Sequence, residues 1–318
     1  MSDLILHIGA HKTATTALQA LLTDSRRLLA QSRIIYPRVG WCNNAQHRIA
    51  LGLKNMTDPA QGDIPDAAAE IADLNATLAQ NPGKTVLISS EELFTLRPAA
   101  LELLRDRLQA RSVRIIACVR RPDEMLLSIY NQKAKSPNNG FVMPLAFFLD
   151  KPRQIDPDIA YGQQLGKWAD YFGDDALTVF TYEAGPPIKS FLALLGVEAP
   201  TITSKGENRS VPAPVVELMR IAKAQGFPAH LQSQLYHLAL HRFTDAPKLT
   251  LTKAQRLRVF QILNEEYTQF FQRIGRENPY PPSFVSDLPD AEDAPAPPPL
   301  TFRDMLTLIE ALMQQLSV

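Results

Sequence analysis

Gly9-Ala10-His11-Lys12-Thr13-Ala14-Thr15-Thr16 brings an ammonium group, an imidazole and three hydroxyls into one short run. It lies between an apolar stretch, Leu4-Ile5-Leu6-His7-Ile8, and a segment with leucines at helical spacing. Backbone N–H groups at such a turn, and in the first turn of a helix, lack intrahelical partners, and the helix dipole adds positive potential. The run therefore reads as an anion site for phosphate or sulfate. Lys12 would supply mobile positive charge, and Thr13, Thr15 and Thr16 further donors. It is not a Walker A loop, which needs a Gly directly before the Lys and another five residues earlier. Here His11 precedes Lys12, and Gly9 stands alone.

A second pair is Arg120, closing the apolar stretch 113–119, and Ser128, eight residues on in a helical pattern. Pro122 suits the first turn of that helix. A guanidinium with a hydroxyl is suited to a terminal phosphate. Three side chains compete for a proton-accepting role, with Glu91 the first choice. Glu91 follows the apolar run Thr85-Val86-Leu87-Ile88-Ser89 and would stand at a strand's C-terminal end, the ligand edge of an open α/β sheet. Glu92 is its neighbour, and His47, in Asn43-Asn44-Ala45-Gln46-His47-Arg48, offers an imidazole suited to pH 7. His11 reads equally as a turn residue or a ligand contact. His7 reads as a hydrogen-bonded core residue, and Cys118 as a small core residue. Arg121, Lys133 and Lys135 read as a solvated basic flank, and Trp41 and Phe94 as core or lid packing.

The elements that must position these groups alternate. Strands are expected at 4–8, 85–89, 113–119 and 177–182, and helices at 15–31, 67–79, 99–110, 123–135 and 161–172. Near-continuous apolar strands alternating with helices indicate a three-layer α/β/α domain with a central, mostly parallel sheet. Residues 40–65, rich in Asn, Gly, Asp and Pro, read as an irregular excursion. From about 211 the chain is expected to be helical, with the main domain ending near 277. A Pro-rich linker is expected at 278–300 and an amphipathic helix at 301–318. That last helix would cover its own domain or a second copy in a homodimer.

Lys and Arg number 33 and Asp and Glu 33, a net charge of +0 that argues against a nucleic-acid binder working by bulk charge. The only cysteines, Cys42 and Cys118, give neither a disulfide framework nor zinc spacing. Met1-Ser2-Asp3 carries no basic leader, and no run of about 18 apolar residues would span a membrane, so a cytoplasmic protein is expected.

The run His7-Ile8-Gly9-Ala10-His11-Lys12-Thr13-Ala14-Thr15-Thr16 resembles the 5′-phosphosulfate loop of sulfotransferases that use 3′-phosphoadenosine 5′-phosphosulfate (PAPS), with Ala14 where that family has Gly. Arg120 and Ser128 resemble the family's 3′-phosphate site in order and spacing. Ser89-Ser90-Glu91-Glu92-Leu93-Phe94 is similar to the acidic segment of the carbohydrate-sulfotransferase branch, and Lys205-Gly206-Glu207-Asn208-Arg209-Ser210 to a loop closing over the nucleotide. The resemblance runs to about residue 285. It implies a P-loop-like fold, PAPS as co-substrate, adenosine 3′,5′-bisphosphate (PAP) as product, no metal, and a small-molecule or glycan acceptor. It implies a nucleotide site comprising Gly9, Ala10, His11, Lys12, Thr13, Ala14, Thr15, Thr16, Arg120, Ser128, Lys205 and Gly206. The competing readings are a P-loop-type kinase using ATP and Mg²⁺, and a non-catalytic nucleotide-binding protein.

Overall fold

The structure, a computed structural model, describes residues 1–137, 139–198 and 211–286. Lys205, Gly206 and the expected helix at 301–318 lie outside the described residues. The chain forms two compact units. Among the described residues, one comprises those within Met1–Arg121, Ala160–Ile202 and Glu265–Pro279, and the other those within Pro122–Ile159, Thr203–Asn264 and Tyr280–Val318.

The first unit holds a five-stranded sheet: β1 (Asp3–Gly9), β2 (Ile34–Ile35), β3 (Thr85–Ser89), β4 (Val113–Val119) and β5 (Leu177–Thr181). The strand order is β2-β3-β1-β4-β5, and every pairing is parallel. Successive residues of a strand face opposite sides. Ile5, Leu87 and Ile116 pack on Leu18, Leu22, Leu29, Phe191 and Leu192. Leu4, Leu6, Val86, Ile88 and Ile115, of the other parity, are just as buried. Both faces are covered, which is why these strands read as unbroken apolar runs. From central β1 the chain turns first to the β2/β3 side and then to the β4/β5 side. The sheet therefore has its switch point at the C-terminal end of β1, where a ligand crevice is expected.

The segment expected as one helix over 15–31 is two, α1 (Thr15–Asp24) and α2 (Arg26–Gln31), joined at Ser25. Thr23 donates its hydroxyl to the Gln19 carbonyl at 2.8 Å, the kind of local side-chain bond that competes with a helix ladder. The excursion over 40–65 contains α3 (His47–Lys54), which buries Ile49, Ala50, Leu51 and Leu53. Eight residues between irregular flanks are too short a stretch to stand out in the sequence. Next come α4 (Ala67–Gln80), capped by the Asp66 carboxylate, and α5 (Pro98–Arg107), with proline in its first turn.

The second unit is helical among its described residues, beginning with α6 (Pro122–Lys135). Asp123, fully buried in the first turn of α6, pairs with buried Arg256. Tyr130, Phe141 and Phe148 meet edge-to-face with centroids 5.3–5.8 Å apart. Tyr280 and Val285, inside the stretch expected as a linker, are buried. Among the described residues no helix is long and apolar enough to cross a membrane.

Candidate active site

The loop leaving β1 turns on residues with positive φ: Gly9 at 95°, Lys12 at 60° and Ala14 at 66°. Gly9 is demanded twice over, since a Cβ there would stand 3.0 Å from Glu91 Cβ and 3.1 Å from Glu91 Cα. Thr13 is buried and donates its hydroxyl to the Ala10 carbonyl at 2.6 Å, so it braces the loop. Ala14 takes the left-handed conformation as N-cap of α1 and provides no side-chain cap. The first turn of α1 also lacks any acidic residue. The amides there are left for an anion, with Thr15 buried behind them and Thr16 exposed. Lys12 and His11 are half-buried on the same loop.

Beside this loop, β3 ends at Ser89, and the chain passes Ser90 into a short 3₁₀ helix, Glu91–Leu93. Ser90 N–H extends the ladder by donating to the His7 carbonyl at 3.0 Å. Glu91 Oε2 accepts from Gln19 Nε2 at 2.6 Å. Burial pushes the Glu91 carboxyl up, but His47, Glu91's own N–H, Gln19 and His11 outweigh it and hold the group below the usual carboxylate range. Glu92 is likewise raised by burial and more than offset, chiefly by Lys54, whose Nζ lies 2.6 Å from Oε2. His11 Nε2 stands 3.8 Å from the other Glu92 oxygen.

Both ends of α3 serve this corner. His47, at its start, places Nδ1 2.8 Å from Ser90 Oγ, and Lys54, in its last turn, holds Glu92. Gln46 fastens the helix start by accepting Ser89 N–H at 2.8 Å and donating to the Pro37 carbonyl at 2.8 Å. Arg48 pairs with Asp58 (2.8 Å), Asp63 (2.8 Å) and Glu70 (3.0 Å), closing the excursion around α3. Glu91, Glu92 and His47, the three competing candidates, therefore share one corner with the loop after β1.

Arg120, on the other side of β1, reaches the Lys12 carbonyl with Nη1 at 3.4 Å and lies 4.9 Å from the Tyr182 ring centroid. Its N–H donates to the hydroxyl of buried Tyr161 at 3.3 Å. Arg121, expected on a solvated flank, is buried at 9% exposure, and its N–H donates to Glu183 at 2.9 Å. Lys133 pairs with Asp156 at 3.1 Å. Ser128 is half-buried in α6 of the second unit. Phe94 is fully buried and Trp41 half-buried beneath Arg26. His7 and Cys118 are core residues, as expected.

Sequence reasoning missed Gln19, Ser90 as partner of His47, and Lys54 as partner of Glu92. Only Gln19 left a signal, a polar residue inside the apolar stripe of α1 formed by Leu18 and Leu22. The other two depend on α3, which was too short to stand out.

No family model and no curated protein matches the chain. Three solved structures are similar to it. A sulfotransferase from Alicyclobacillus acidocaldarius is 18% identical, over 70% of this chain and 94% of that one, with a TM-score of 0.41. The mouse sulfotransferase SULT7A1 complexed with PAP is 14% identical, over 74% and 66%, with a TM-score of 0.31. The sulfotransferase domain from the curacin biosynthetic pathway is 14% identical, over 83% and 98%, with a TM-score of 0.38.

Proposed function

We propose that this protein is a sulfotransferase moving a sulfuryl group from PAPS to a hydroxyl or amine, with a carbohydrate hydroxyl as the first acceptor class to test. One observation carries the reading. A loop of anion-binding character and a carboxylate able to accept a proton abut at one sheet edge, so closely that only glycine fits at position 9.

In this reaction the acceptor oxygen or nitrogen attacks sulfur in line, and the bond from sulfur to the 5′-phosphate oxygen breaks. The N–H groups at the start of α1, with Thr15 and Thr16, hold the 5′-phosphate as it leaves. Lys12 neutralises charge growing on the bridging and non-bridging oxygens, and His11 faces the sulfuryl oxygens. Glu91 takes the acceptor proton. It is preferred to Glu92, which is engaged by Lys54 at 2.6 Å, and to His47, whose Nδ1 is engaged by Ser90. As in phosphoryl transfer, the protein's task is positioning and electrostatics. Arg120 and Ser128 take the 3′-phosphate on the strength of their spacing in the sequence, and the Tyr182 ring steadies the guanidinium. Lys205 and Gly206 take their role over the nucleotide from the sequence resemblance alone.

Thermal shift gives the first test. PAP at a hundredfold excess over its dissociation constant should stabilise the protein by about 2.7 kcal/mol, while ATP with Mg²⁺ should do little. The reverse pattern would replace this reading with a kinase. Transfer from radiolabelled PAPS to phenols, alcohols and amino sugars tests catalysis. Lys12→Ala should lower it about 10²- to 10³-fold with PAP binding retained. Binding without transfer to any acceptor would favour a nucleotide-binding protein.

A further inference from the structure

We propose that Gln19 is a positioning residue for the Glu91 carboxylate, anchored by a buried hydrogen-bond chain through Ser89 to His7. The proposal rests on the assignment of Glu91 as proton acceptor.

Gln19 lies on the inward face of α1 with Thr15, Leu18 and Leu22 and is only 3% exposed. A long amide in such a place costs stability unless its polar atoms are matched. Its Nε2 donates to Glu91 Oε2 at 2.6 Å and approaches Ser89 Oγ at 3.4 Å. An ionised carboxylate only accepts, so the nitrogen, not the oxygen, of the amide must face Glu91. Ser89 Oγ in turn lies 2.8 Å from His7 Nδ1. Burial holds the His7 imidazole down to about 4, so it is neutral at physiological pH and one ring nitrogen can accept. If Ser89 Oγ accepts from Gln19, its own proton is free for His7 Nδ1. The chain then runs Gln19 to Ser89 to His7 with no two donors or acceptors opposed.

The anchor is rigid because Ser89 and His7 are register partners on β3 and β1, and both are fully buried. The His7 ring also packs on Phe191 at 4.7 Å. Glu91 by contrast sits on a short turn, where its side-chain torsions would otherwise be free. A base must stay within hydrogen-bond reach of the proton it removes, and holding it there is worth a large factor in rate. The chemistry of the holding group matters too. Glu92 is held by a lysine, whose full charge lowers a carboxylate's basicity strongly. Glu91 is held by a neutral amide, which orients it without adding a formal charge, while its ionisation is favoured first by His47 and then by its own N–H, Gln19 and His11.

The test is a carbon-13 titration of the Glu91 carboxyl, its signal identified by its loss in Glu91→Gln. In Gln19→Leu the midpoint should move up, because burial is then less opposed, and Ser89→Ala should move it less, in the same direction. Transfer from radiolabelled PAPS to 4-nitrophenol or N-acetylglucosamine at neutral pH should fall about 100-fold in Gln19→Leu. PAP binding and the apparent KM for PAPS should stay unchanged. A folded Gln19→Leu whose Glu91 midpoint stays at the wild-type value overturns the proposal. Should that variant fail to fold, Gln19→Asn carries the same test with the amide drawn back by one methylene. Wild-type transfer in Glu91→Gln would instead remove Glu91 as the base, whatever the titration shows, so the two failures are separable.

Discussion

The ends of β1 and β3 are neighbours in the sheet, and they are built from different materials. After β1 the proposed working groups are largely main-chain amides, arranged by three positive-φ residues within six positions, and the side chain of Thr13 is turned inward as a brace. At the end of β3 the proposed working groups are two carboxylates and the imidazole that α3 brings to them, each held by a side chain far away in sequence: Glu91 by Gln19, Glu92 by Lys54, and His47 by Ser90. An anion cradle can be made locally because every residue carries an N–H. A tuned carboxylate cannot, because its ionisation depends on what is packed against it.

Gly9→Ala attacks the contact between the two ends and should have the largest effect. The new Cβ meets Glu91 in a backbone conformation that alanine tolerates poorly, costing about 4 kcal/mol of stability and abolishing PAP binding. A melting curve with and without PAP measures both. A wild-type melting temperature would mean the ends are not tightly abutted.

His7 tests the side-chain anchoring of the β3 end. Its imidazole protonates near 6.5 in the unfolded chain but at about 4 when folded, so the unfolded state binds the extra proton between those values. The stabilisation is full above about 6.5 and is lost as pH falls toward 4, about 3 kcal/mol in all. His7→Gln should flatten this part of the stability curve, measured by urea unfolding at several pH values. An unchanged slope would assign the dependence elsewhere.

The smallest effect is expected at Ala14, where the loop after β1 departs from the usual glycine. Its φ of 66° costs an alanine about 1 kcal/mol, so Ala14→Gly should raise stability by up to that amount, less the added freedom of the unfolded chain. A loss of stability would show that the methyl group is packed to advantage.

The comparison also explains what could be read from the sequence. Four of the five strands, their parallel arrangement and the loop 9–16 were legible, because apolar runs and a turn between strand and helix are local patterns; β2, only Ile34–Ile35, was too short to show. Glu91, Glu92 and His47 were legible as candidates, Glu91 first for its place at a strand's C-terminal end, but the groups that hold them were not. Those are Lys54 and Gln19, which lie 38 and 72 residues from their partners. The break at Ser25 and helix α3 were missed, because a single hydroxyl bond leaves no periodic trace and an eight-residue helix between irregular flanks is too short to stand out. Arg121 looked like a surface charge, and only its bond to Glu183 and its burial show otherwise.

Arg48, next in sequence to His47, gathers three carboxylates from positions 58, 63 and 70 onto one guanidinium. The segment they enclose is therefore fastened like a clasp, by charge as well as by the apolar residues that α3 buries. Such a fastening yields to anything that mimics or neutralises its parts. Concentrated guanidinium chloride would rival Arg48 for its acids, whereas urea at equal denaturing strength would not. The imidazole beside the clasp should then lose its fixed position in the one solvent while the sheet is still intact, and keep it in the other.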